Sequence, residues 1–398
     1  MDTKRRVSPM KEKQSTNIDL TQLAEQAKAA STRELTALIE HHQEQLIERL
    51  CGPRHSRGQP YKRSGTYTKK LVTTQGAIKL KVTKVKDRST GRAHSPILEA
   101  LDALRRRYSR AIRWACVEHA SRMSYGKASD CYHAATGIKV PRRTIHRWIN
   151  ESAPSLLEKA LSQGETQISE ADIVMGDSTD VRGLSWREMR HVRVLMDGGG
   201  GLLALRVDEP WPRAKAAVLV SDEEPGLVGA VSTGRRQLCL LHALKRLGFI
   251  LWRDGMSKGE RDMVRRSVKR PLFGLVAAVK HQSGDVLRAK IMWTRGELVS
   301  VAESLRVRGY SGAADYLEMR VDVLVAFAEL ALMGLRVPYT TNRLERLMGE
   351  VADRCKNRRM HWSSGGLRCM LMFLLVRYTD KARYEMVKYA YIHNEVIH

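Results

Sequence analysis

The sequence predicts a mixed α/β protein that carries an inserted block of helix, and three observations lead there. Between residues 171 and 241, short runs of strand-favouring residues alternate with turn residues: Ile173–Met175, His191–Met196, Leu202–Val207, Val218–Val220 and Leu238–Leu241. Four glycines, Gly198–Gly201, separate two of these runs and signal a hairpin. Residues 243–337 then read as helix almost without interruption. Three strands joined by short turns, then a helix, then another strand, make a mixed sheet. After Pro338 a further helix begins at about Thr341, and an apolar helix covers Leu367–Tyr378.

The first 150 residues have a different texture. Residues 1–17 are polar and Lys-rich, the composition of a disordered tail. From Leu20 to Leu50 apolar residues recur at helical spacing (Leu23, Ala27, Leu35, Leu38, Ile39, Leu46, Leu50), with a break expected at Ser31–Thr32. Cys51–Pro60 reads as a linker rich in Gly, Pro and Arg. Thr66–Thr74 and Ala77–Val85 alternate around Gln75–Gly76, the pattern of a hairpin with Lys on its open face. Such a face suits phosphates, and it also suits the protection of an edge strand. Residues 96–150 read as helical throughout. Lys127–Ala135 forms a short helix, Thr136–Ile138 a turn, and Pro141 opens a second helix to Asn150. This is the outline of a helix-turn-helix, held down by Ile145 and Trp148. Arg142, Arg143, His146 and Arg147 would be free to reach a major groove.

Charge indicates the partner. The chain of 398 residues carries a formal net charge of +26, from 69 Lys and Arg against 43 Asp and Glu. Residues 51–150 alone hold 23 basic and 5 acidic residues, a local excess of 18. An excess of this kind needs an anionic partner; double-stranded DNA suits it better than its rival, an acidic membrane surface. Lys62, Arg63, Lys69, Lys70 and the run Arg105, Arg106, Arg107 join the second-helix residues as candidate DNA contacts. The N-terminus is polar, no apolar run is suited to span a bilayer, and the six cysteines form no CxxC pair. A reduced cytoplasmic protein is expected, without a membrane partner.

Two acids stand where metal ligands belong. Asp177 follows Ile173–Met175 and Asp222 follows Val218–Val220, each just past the C-terminal end of an expected buried strand. On neighbouring strands their carboxylates converge and suit hard divalent ions. Asp after a strand is also a common turn former. On the helix from Thr341, Leu344, Leu347, Met348, Val351 and Cys355 form a core face. Beside it runs the stripe Asn342, Glu345, Gly349, Ala352 and Lys356. Glu345 lies in that stripe, whereas Glu350 is five residues on, about 140° around the helix. Glu345 is therefore preferred as third ligand, with Glu350 and Asp353 in reserve.

With Cys239 and His242 soon after the second aspartate, and Thr341–Arg346 around the third acid, these residues resemble the Mutator-like superfamily of insertion-sequence transposases. The stretches Cys51–Gly52, Tyr61–Thr66, Ser95–Leu101, Arg105–Ser109, Met123–Gly126 and Val140–His146 resemble a branch first known from halophilic archaea. The likeness runs from about residue 45 to 378, and 45 and then 123 residues separate the three acids. It implies an RNase H-like catalytic core interrupted by an all-helical insertion, and Mg²⁺ or Mn²⁺ on Asp177, Asp222 and Glu345. It further implies cleavage at the ends of a mobile element in a prokaryotic nucleoid, with joining of the 3′ ends to target DNA. Assembly on two ends implies a homodimer or larger homo-oligomer.

The chain also departs from that pattern. Asp177 is followed by Ser-Thr-Asp180, which makes Asp180 a competitor for the first ligand, and Asp222 is followed by Glu-Glu-Pro. Cys239 and His242 lack the second pair a zinc site needs; they are either neighbours of the active site or a buried thiol with a helix-capping ring. Trp362 is either a base-stacking residue or a core tryptophan at a helix junction. The expected organisation is a tail and helix over 1–50, available for oligomerisation, a basic linker and hairpin over 51–95, and helices with the helix-turn-helix over 96–152. The core follows over 165–242, the insertion over 243–338, the end of the core over 339–380 and a C-terminal tail over 381–398. A DNA-binding regulator without catalysis, or a nuclease that cuts without joining, are the alternatives.

Overall fold

The computed structural model describes residues 20–53, 58–151, 171–185, 187–282, 284–356 and 360–393. The tail expected over 1–17 lies outside them, as does part of the expected linker. The chain divides into two compact units, Met1–Ala115 with Ala134–Ile138, and Cys116–His133 with Lys139–His398.

In the first unit, helix α1 (Leu20–Cys51) packs on a three-stranded sheet of β1 (Tyr61–Thr73), β2 (Gly76–Asp87) and β3 (Ala93–His94), with the short α2 (Pro96–Ala100) beside it. The break expected at Ser31–Thr32 does not occur. Thr32 Oγ1 donates to the carbonyl of Lys28 at 2.7 Å, inside the helix, and also reaches Gln75 O of the β-turn. The hairpin is antiparallel, with Thr73 facing Gly76 across the turn and a register shift between Arg63 and Thr66. Lys79, Lys81 and Lys84 face solvent while Ile78, Leu80, Val82 and Val85 are buried, each worth about 1.5–3 kcal/mol of transfer. The side chain of Gln43 pairs with β2 as a strand would. Its Nε2 donates to Lys81 O and its Oε1 accepts from Thr83 N, both at 2.9 Å, so part of an otherwise open edge is satisfied. Residues 101–109, expected to be helical, form turns before α3 (Arg110–Ala120).

The second unit holds α4 (Tyr125–Thr136) as far as His133, helix α5 over residues 142–151, and a five-stranded sheet. Ile145, Trp148 and Ile149 of α5 are buried, and the Tyr125 and His146 rings meet edge to face at 5.3 Å. Gly137 between the helices has φ +71°, a left-handed turn that favours glycine. The sheet comprises β4 (Ala171–Arg182), β5 (Met189–Asp197), β6 (Leu202–Val207), β7 (Ala214–Ser221) and β8 (Val231–Leu238), in the order β6-β5-β4-β7-β8. β4, β5 and β6 form an antiparallel meander, and β7 and β8 add parallel strands on the other side of β4. Among the described residues, the one helix between these strands, α6 (Pro225–Ala230), falls between β7 and β8. Leu238–Leu241 is not a strand. Leu238 ends β8 and Leu240 begins α7 (Leu240–Arg253), because a short apolar run reads alike in either state.

Helices α7, α8 (Lys258–His281), α9 (Gly284–Val307), α10 (Ser311–Glu318) and α11 (Val321–Leu332) form the expected helical block. Then α12 (Asn342–Cys355) packs on β4 and α13 (Ser364–Thr379) on β6. The residues expected to trail as a tail form α14 (Lys381–His393), seated on α13 by buried Tyr384, Val387 and Ala390. No helix among the described residues is long and apolar enough to cross a membrane.

Candidate active site

The sheet register brings the two aspartates level. β4 and β7 run parallel with Met175 opposite Val220, so Asp177 and Asp222 stand two residues further along neighbouring strands. β7 ends at Ser221, but β4 continues to Arg182 against β5, with Asp177 opposite Val194. Asp177 is therefore inside a strand, not past its end as the apolar run suggested. Gly176 is fixed by packing, since a Cβ there would lie 2.5 Å from the Leu227 side chain of α6. The segment after Asp222 is held down. Glu223, at φ +74°, takes both hydrogen bonds of the Arg320 Nε at 2.8 and 2.9 Å, and Glu224 accepts from Ser178 Oγ and Trp211 Nε1.

Both aspartates line a groove of about 1380 Å³. Among the described residues, no lysine or arginine forms an ion pair with Asp177, Asp222 or Glu345. Burial, then the charge of Asp222, pushes the Asp177 carboxyl up to about 6, with a smaller contribution from Glu345. The Ser178 N–H, which donates to Asp177 Oδ1 at 2.8 Å, and His242 act against the rise. This shift has a measurable consequence. An unfolded aspartate titrates near 3.8, so between that value and about 6 the folded chain retains a proton that the unfolded chain has released. Stability is then lost as pH rises through this window. Asp177→Asn is expected to match the parent's thermal stability below about pH 4. Above about pH 6, in chelator, it should exceed the parent by up to ~3 kcal/mol, at ~1.4 kcal/mol per unit. Equal melting at about pH 8 would show that Asp177 carries no such strain.

Glu345 reaches the site from the first turn of α12. Its Oε1 lies 3.1 Å from Thr341 Oγ1 and 3.6 Å from His242 Nδ1. The tight cluster is instead Cys239, His242 and Glu345, whose ligand atoms all lie within 4.8 Å of one another. Cys239 is fully buried at the N-terminus of α7, and its sulfur accepts from Thr341 N at 3.4 Å and Thr341 Oγ1 at 3.3 Å. Burial alone would raise the Cys239 thiol, but hydrogen bonding with His242 and Thr341 outweighs it and holds the thiol below its ordinary value. Cys239 in turn raises His242, against desolvation and with help from Glu345 and Asp222. His242 Nδ1 is buried without a hydrogen-bond partner among the described residues, the Glu345 oxygen being just beyond reach.

Two donor sets thus share Glu345. Asp177, Asp222 and Glu345 offer only oxygen and pair with no lysine or arginine among the described residues, which fits a hard divalent ion such as Mg²⁺ or Mn²⁺. Cys239, His242 and Glu345 offer three of the four ligands a structural zinc requires, and the sulfur already serves Thr341.

The remaining candidates separate. Asp180 is exposed and pairs with His191 at 2.6 Å; three residues from Asp177 on one strand, it lies on the other face of the sheet. Glu350 and Asp353 are exposed, and so is Asn342 at the start of α12. Trp362 is buried, donating to Cys355 O at 3.2 Å under the Arg354 guanidinium, so it serves the core. Arg142, Arg143, His146 and Arg147 are exposed on α5, with Arg147 3.6 Å from Glu151. In the first unit Lys62, Lys70, Arg105, Arg106 and Arg107 are exposed, although Arg106 pairs with Asp102. Lys69 spends its ammonium on the Ala103 and Leu104 carbonyls, and Arg63 pairs with Glu44 at 3.1 Å. No family model and no curated protein matches this chain. Its function rests on the site itself.

Proposed function

We propose that the protein is a metal-dependent DNA transposase of the Asp–Asp–Glu type. One observation carries the reading: Asp177 and Asp222 stand level at adjacent parallel strands, pair with no lysine or arginine among the described residues, and line one open groove, with Glu345 near enough for its charge to act on Asp177. The order of parts also supports it. One acid lies on the first strand of a mixed sheet and a second at the end of the fourth. A third acid follows a helical block, as the resemblance to Mutator-like transposases implies for an RNase H-like core. The exposed arginines of α5 support it too, since a DNA-reading helix would carry such residues.

Divalent ions held by Asp177, Asp222 and Glu345 would activate an attacking oxygen and steady the leaving one. The chain's own groups prepare the acids for that role. Ser178 N fixes one oxygen of Asp177, Arg320 anchors the turn after Asp222 through Glu223, and Thr341 holds Glu345 beside His242. Water would be the first nucleophile and a freed 3′-OH the second, each using the same carboxylates. A dimer or larger assembly on two DNA ends follows from the reaction.

The test is incubation of the full chain with labelled DNA bearing the element's ends, with Mg²⁺, Mn²⁺ or chelator. Divalent-dependent strand cleavage followed by joining to a second DNA is expected. Cleavage without joining would make it a nuclease, and binding with no cleavage in either metal would make it a regulator.

A further inference from the structure

The groove is far larger than its acids require, and its other wall has a different character. Helix α7 starts beside Glu345 with His242 and runs outward along the groove. At one-turn intervals it presents Lys245 and Arg246, then Phe249, then Arg253 to the same side. Lys245 and Arg246 are exposed with no ion pair among the described residues; Arg246 lies instead over the Phe249 ring at 5.7 Å. Phe249 is 49% exposed. Opposite stand Met319, 73% exposed, and Tyr316, whose buried hydroxyl has no hydrogen-bond partner among the described residues. From His242 to Arg253 the helix advances about 16 Å, at 1.5 Å per residue. At the duplex spacing of about 3.4 Å per nucleotide, that length matches on the order of five stacked nucleotides of one strand, and fewer if the strand is extended.

Resting on the functional reading above, we propose that the α7 wall is a binding site for unpaired single-stranded DNA next to the scissile phosphate. Lys245, Arg246 and Arg253 take its backbone, and Phe249 stacks on one base. The chemistry selects this occupant. Lys245 and Arg246, without an ion pair among the described residues, and Arg253 beyond them, 3.5 Å from Asp254, attract a polyanion, and an exposed ring between them has no use for a paired base but stacks on a free one. The volume, about 1380 Å³, exceeds that of small-molecule sites, typically about 300–1,000 Å³. The strand enters at the acids and leaves along α7, so the wall selects DNA whose end is already opened.

The proposal is tested by fluorescence anisotropy with the full chain in chelator, so that no cleavage can contribute. The probes are a short duplex with an unpaired tail of about five nucleotides, carrying 2-aminopurine in the tail, and the same duplex blunt. Phe249→Ala is expected to weaken binding of the tailed duplex about tenfold and abolish the 2-aminopurine quenching, with Phe249→Trp restoring both. The pair Lys245→Ala with Arg246→Ala should lower the log–log salt slope for the tailed duplex by about 0.7 per lost contact. Blunt-duplex binding should not change in either. Tailed binding equal to the parent's, or equal losses on tailed and blunt DNA, would overturn the assignment. The catalytic reading fails separately, through absent cleavage in Mg²⁺ with tail binding intact.

Discussion

Asp222→Asn is expected to reduce DNA cleavage and joining by at least about 10²–10³-fold, the range for losing one preorganised electrostatic group. End binding should be nearly unchanged. Asparagine keeps the size and the polar contact that Glu224 N makes to this side chain at 3.3 Å, so the turn survives. What is lost is one of two level negative charges on β4 and β7. The loss has a second readout that needs no substrate. Asp222 is the largest electrostatic cause of the raised Asp177 carboxyl after burial, so the variant should lower the Asp177 pKa from about 6. Carboxyl-detected NMR of the two proteins measures it directly. An unchanged Asp177 titration would mean that the aspartates do not sense each other, and full activity in Mg²⁺ would remove Asp222 from the site.

How far the sequence discloses this site depends on the kind of signal. Leu202–Val207 is read to the residue because apolar strand and four-glycine turn agree. β8 is missed: its Ser232, Arg235 and Arg236 face solvent at a sheet edge, and no buried alternation marks it. β4 is read as ending at Met175, because Asp177, Ser178 and Asp180 are polar in a strand that continues only for its antiparallel neighbour. α1 keeps its helix through Ser31–Thr32 because Thr32 bonds within the helix and to the hairpin turn, a contact no local pattern contains. Asp177, Asp222 and Glu345 were legible as candidates from strand ends and helix faces. The contacts of Glu345 with His242 and of Thr341 with Cys239 were not, since they join the start of α7 to that of α12 across about a hundred residues. Nor could the sequence foresee that Lys69 and Arg63, equal in text to Lys62 and Lys70, are consumed by Ala103, Leu104 and Glu44.

The choice between the two glutamates of α12 gives the other large effect. Glu345→Gln is expected to lower cleavage and joining by at least about 10²-fold, and Glu350→Gln to leave both within about twofold, as most surface changes do. The helix decides the ranking. Leu344, Leu347, Met348, Val351 and Cys355 are buried, which fixes its rotation. That rotation turns Glu345 toward His242 and within electrostatic range of Asp177, and leaves Glu350 in solvent. Glutamine preserves the shape and the contact with Thr341 Oγ1 but removes the charge that would balance divalent ions. His242→Asn separates the two donor sets that share Glu345. If oxygen ligands alone hold the ions, His242→Asn should retain Mn²⁺ binding by calorimetry while Glu345→Gln weakens it. Equal loss in both would move the metal to the Cys239, His242 and Glu345 cluster. Rates in which Glu350→Gln is the slower variant would reverse the assignment of the third acid.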